Sequence, residues 1–148
     1  MVDWDELNDY GPFVLRLFFG VAFLVAGLDK VLSFDMAKGM FEGMFAPWLG
    51  AGLGASMLVL AIVIELLGGL ALLLGVYTRA ASGFLALFIL IAFVLTAKLG
   101  ASMHFIGTLR ELMVMNTGGG NTAVNFAYFG ALLALVFSGS KKLALKPE

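Results

Sequence analysis

The chain has 148 residues, of which 61% are hydrophobic and only 13% charged, with a formal net charge of −1 and no cysteine. About a quarter of the residues in a soluble domain are charged, so this chain, at a mean hydropathy of +1.03, is too apolar to close a water-soluble core and reads as an integral membrane protein. The charge balance gives no basic face for nucleic acid, and the lack of cysteine with a single histidine leaves no disulfide, iron–sulfur, Cys-based zinc or bis-His haem site within one chain.

The first ten residues, MVDWDELNDY, are acidic where the leading part of a signal peptide is basic. The first apolar run is therefore expected to stay in the membrane. A spanning helix takes about 20 apolar residues, and residues 12–32 form the first such run, with Pro12 suited to a first helical turn. In the connection from Ser33 to Leu53, Phe34, Phe41, Phe45 and Trp48 recur at helical spacing, and Met36, Met40 and Met44 widen that face. Asp35, Lys38 and Glu42 share another face, and Pro47 limits the helix. A short helix, in the interface or tucked between spans, fits this pattern; a Met- and Phe-rich surface loop is the alternative.

Residues 54–77 and 80–99 form the second and third spans, with only Thr78 and Arg79 left between them for a tight hairpin. From Gly100 to Thr122 the pattern predicts a short amphipathic helix over His104 to Met115. A flexible turn at Gly118, Gly119 and Gly120 follows, without the spacing of a phosphate loop. Residues 122–137 form the fourth span, with Asn121 as N-cap and Ser138-Gly139-Ser140 as its end. The expected fold is all-α: one integral membrane four-helix bundle over residues 1–148, with short interfacial helices in its connections. Both termini then share a side, and Lys141, Lys142, Lys146, Arg79 and Arg16 assign it to the cytoplasm of a multi-pass cell-membrane protein.

Two spans carry polar stripes. Arg16, Gly20, Phe23, Gly27 and Lys30 follow one helical face of the first, and Glu65, Gly68, Leu72, Gly75 and Arg79 one face of the second. Glycines admit close helix approach and charges avoid lipid, so the stripes are expected to face each other. With the helix ends taken as level, Glu65 falls about 12–14 Å along the axis from both Arg16 and Lys30. Direct contact with either then needs a long reach, a tilt or a bridging water; the alternative is a partner on later spans such as Thr96, Asn125 or Tyr128. Glu65 is either a neutral acid tying helices together or a group that handles protons or a polar headgroup. Arg16, Lys30 and Arg79 either snorkel to the interface or line a site. His104 is an interfacial side chain or a member of the polar set at the far end, with Asp29, Lys30, Lys98, Arg110, Glu111, Asn116, Asn121 and Asn125.

On these residues the sequence resembles the DoxX family of small four-helix membrane proteins. VLRLFFGVAFLVAGLDKVL (Val14 to Leu32) and IELLGGLALLLGVYTR (Ile64 to Arg79) match its arginine–glycine–glycine–lysine and glutamate–glycine–threonine–arginine pattern, with Ala26 where the family often has histidine. The resemblance implies a subunit of a membrane quinone-linked oxidoreductase, or a member of redox and stress-protection assemblies. The expected ligand is a quinone, with no haem, iron–sulfur or zinc. Glu65 and His104 are the candidate catalytic groups, and Arg16, Lys30, Arg79, Asn125 and Tyr128 the candidate binding groups. The expected partners are the lipid bilayer, redox proteins and a second copy of the chain. A non-enzymatic anchor docking partners through the amphipathic Ser33–Leu53 segment and the basic tail, and a carrier with Glu65 and the interhelical glycines on its path, are the competing readings.

Overall fold

The computed structural model describes residues 8–50, 52–96, 106, 109, 113 and 122–147. Within them the chain is all-helical: α1 (Gly11–Leu32), α2 (Phe34–Leu49), α3 (Gly54–Leu74), α4 (Thr78–Thr96) and α5 (Thr122–Ser138). α1, α3 and α4 are each long and apolar enough to cross a membrane, and α5 is a shorter apolar helix. Of the predicted helix between His104 and Met115, only residues 106, 109 and 113 are described, and all three are helical; the Asn121 cap lies outside the described residues.

Each boundary has a local cause. Pro12 sits in the first turn of α1, where its missing N–H would lack an intrahelical partner anyway. α2 ends two residues after Pro47, at Leu49. α3 stops at Gly75, which takes the left-handed conformation (φ 65°), while the Val76 N–H donates back to the Ala71 carbonyl at 3.0 Å. The second span is thus shorter than 54–77: residues 75–77 make the turn, and Thr78 and Arg79 already belong to α4.

Helices α1 and α3 pack antiparallel through small residues. A Cβ on Gly20 would lie 3.0 Å from the Gly69 carbonyl, and one on Gly69 would lie 2.9 Å from the Gly20 carbonyl. Gly68 instead faces Leu85 on α4, so the glycine of the second stripe that meets α1 is Gly69, one position on from the expected one. Phe23, Leu72, Leu85, Ala86, Ile89, Leu132 and Leu135 form the main core. α2 lies along the first turns of α3, where Ala37 and Phe41 pack on Leu58, Ala61 and Ile62. The outer faces of the long helices are apolar and exposed, as at Phe18, Val25, Leu67, Phe84 and Val94. That is the surface a bilayer covers.

Candidate functional site: an ion pair at the edge of a cavity

Glu65 sits where α3 passes closest to α1. A Cβ on Gly27 would stand 3.3 Å from the Glu65 Cβ, so Gly27 fixes the register opposite the glutamate. Lys30 is one turn further along α1. Its Nζ donates to Glu65 Oε1 at 2.9 Å and stands 2.8 Å from Oε2. A third contact runs from Nζ to the Ala26 carbonyl at 3.3 Å. The lysine side chain is 22% exposed and the glutamate 5%, so the lysine is the more accessible member of the pair. The pair borders a cavity of about 460 Å³, walled by Met36, Met40, Met44 and Phe41 of α2 and by Phe88, Ile89 and Ala92 of α4. Asp29, Ser33 and Asn125 add polar groups at its margin. A cation presented to a largely apolar, concave space favours a ligand with a hydrogen-bond-accepting head and an apolar body.

At the other end of the bundle Arg16 is only 1% exposed. Its Nη2 donates to the carbonyls of Lys142 at 2.8 Å and Leu143 at 3.1 Å. The guanidinium occupies the space left by the missing side chain of Gly75, at the C-terminal end of α3, where a cation is favoured. The tail folds back over this end. Leu145 and Lys146 donate their N–H groups to the Leu74 and Gly75 carbonyls at 2.9 and 3.2 Å. The Ser140 hydroxyl donates to the Lys146 carbonyl at 3.0 Å. Lys141 pairs with Asp9 at 2.9 Å, which puts the two ends of the described chain together on one side of the bundle.

A model of the DoxX family matches residues 11–98, the stretch that carries both α1 and α3 with Arg16, Lys30 and Glu65. The chain belongs to the DoxX family. It is 31% identical over 134 residues to the inner membrane protein YqjF of Escherichia coli strain K12, covering 90% of this chain and 88% of that one. It is also 29% identical over 146 residues to an uncharacterised protein of Haemophilus influenzae, covering 95% and 94% of the two chains. No solved structure matches it.

This DoxX chain brings together Glu65, Lys30 and Asn125 of the residues singled out in the sequence. The direct Lys30–Glu65 contact corrects the depth estimate for Lys30, while Arg16 is out of reach of Glu65 as expected. Because Gly20 faces Gly69 and Gly27 faces Glu65 and Leu66, the helix ends are not level, and α3 begins beyond the end of α1. Lys30 therefore stands only about 6 Å along the axis from Glu65, a gap its side chain spans. Arg16 lies at the opposite end, under the tail. Arg79 is exposed in the first turn of α4, off the stripe that ends at Gly75. Tyr128 packs edge-on against Phe19, with ring centroids 4.9 Å apart, in the seam between α1 and α5. His104 lies outside the described residues. The methionine face of α2 was visible in the sequence as a stripe, but nothing in its spacing linked it to Lys30. Phe88 gave no signal at all, since one phenylalanine in an apolar span looks like any other.

Proposed function

We propose that this DoxX protein is the membrane subunit of a quinone-linked oxidoreductase assembly, and that the quinone head docks in the cavity beside Lys30. The observation that carries this reading is the Lys30 ammonium, held by Glu65, at a cavity walled mainly by methionine, phenylalanine and aliphatic side chains, with Asp29, Ser33 and Asn125 at its margin. Such a donor suits a ring carbonyl, and the apolar walls suit the ring. A quinone bound there supplies a two-electron, two-proton couple, with electrons delivered by a partner protein. Lys30 donates a hydrogen bond to the head and is the nearest proton source. Glu65 acts through Lys30, compensating its charge and fixing its direction. Asn125 offers a second polar contact at the margin.

The basic tail and Arg79 orient both termini to the cytoplasm, which turns the cavity towards the opposite half of the bilayer. The tail's backbone groups are spent on Arg16 and on the end of α3, so the tail is part of the bundle.

Equilibrium binding of a decyl-substituted benzoquinone to the protein in synthetic-lipid nanodiscs tests the reading. Binding should saturate in the wild type and weaken at least tenfold in Lys30→Met. Equal binding by the two, or none that saturates, overturns it.

A further inference from the structure

A second concavity lies beyond the cavity wall. It is a groove of about 200 Å³ between α2, α3 and α4, lined by apolar side chains throughout. Its rim residues Leu60, Phe84 and Leu87 are exposed on the outer, lipid-facing surface. Phe41 and Phe88 line both spaces, so these two rings form a common wall between a charged recess and a slot open to hydrocarbon. A cavity with an ion pair at its edge and a wholly apolar slot, on the two faces of one thin partition, match the two ends of a single amphiphile.

We propose that this groove takes the hydrocarbon chain of the molecule whose head docks at Lys30, and that the chain passes between Phe41 and Phe88. The inference rests on the docking reading above and adds the ligand's direction and its route from the bilayer. Moving a hydrocarbon chain from lipid into an apolar groove gains packing but little hydrophobic free energy, because lipid tails are equally apolar. The groove therefore sets where the chain lies, while the polar head at Lys30 sets how tightly the ligand is held. A test of the groove must read position rather than affinity.

The probe is a benzoquinone whose decyl chain ends in a diazirine, photolysed with the protein in synthetic-lipid nanodiscs and mapped by peptide mass spectrometry. Saturable adducts should fall on the groove segments of α3 and α4, around Leu60, Ile64 and Leu87, and the ring without a chain should compete them away. Leu87→Trp fills the slot from its exposed rim and should shift those adducts elsewhere without weakening binding of the chainless ring. Leu60→Trp, on the opposite rim, is the second variant, and helicity and melting temperature check that each folds. Saturable, competed adducts on the outer faces of α1 and α5, or adducts unmoved by both substitutions, overturn the groove and leave head docking standing. Adducts that neither saturate nor yield to the chainless ring overturn both.

Discussion

Gly69 and Gly20 meet backbone to backbone: a Cβ on Gly69 would come within 2.9 Å of the Gly20 carbonyl oxygen and 3.0 Å of the Leu24 nitrogen. Neither atom can step aside without moving α1. The three atoms nearest a Cβ on the adjacent Gly68 all belong to the side chain of Leu85, which yields more readily than backbone. Gly69→Ala should therefore cost about 2–3 kcal/mol of stability in detergent and Gly68→Ala about 1 kcal/mol or less. Equal losses in a denaturant titration would contradict the register described for α1 and α3.

Removing one member of the Lys30–Glu65 pair has unequal consequences. Lys30→Met leaves a carboxylate buried without its counter-charge, at a cost of about 3 kcal/mol. Glu65→Gln leaves a partly exposed ammonium that can reach towards the surface, at about 1–2 kcal/mol. The double variant should be more stable than the sum of the two losses implies. A thermodynamic cycle in detergent checks this, and strict additivity would show that the two groups do not interact.

The tail belongs to the bundle. Deleting residues 141–148 strips the acceptors from the Arg16 guanidinium and uncovers the Leu74 and Gly75 carbonyls. The loss should be about 3 kcal/mol or more, given the charged hydrogen bonds involved, and Arg16→Met should recover part of it in the truncated chain. A truncated protein that melts like the full chain would contradict the docking.

Gly75 is constrained twice, by its φ of 65° and by the guanidinium that fills its side-chain position. Gly75→Ala should cost more than about 2 kcal/mol, whereas Gly83→Ala, which meets only Val136 at 3.9 Å, should be close to neutral. Thermal melts of the two variants side by side test the difference.

The membrane class, the three long apolar helices with the shorter α5, and the facing of α1 on α3 were legible because apolar run length and helical period are local properties of a sequence. Register is not local. Taking the helix ends as level misplaced Lys30, because α2 lies along the first turns of α3 and lets that helix begin beyond α1. The choice of Gly68 over Gly69 was an error of one position in a stripe, and it turned a contact towards the wrong neighbour. Arg79 left its stripe because Gly75 ends the helix before it, a stop that an isolated glycine near a predicted terminus signals only weakly. The docked tail was not legible at all. Its contacts run through backbone carbonyls to Arg16, and backbone groups leave no trace in side-chain pattern. The cavity depended on side chains from α1, α2, α3, α4 and α5, which only the assembled bundle brings together.

Lys30 and Glu65 form one ion pair at the edge of the cavity proposed to take the quinone head. Solid-state NMR measures it directly in lipid, through dipolar recoupling between lysine ¹⁵Nζ and glutamate ¹³Cδ in selectively labelled protein. A strong dephasing signal should appear in the wild type and disappear in Lys30→Met and in Glu65→Gln, and the Lys30 ¹⁵Nζ resonance should shift when decyl-benzoquinone is added. No recoupling in the wild type, or a Lys30 resonance indifferent to quinone, would contradict it.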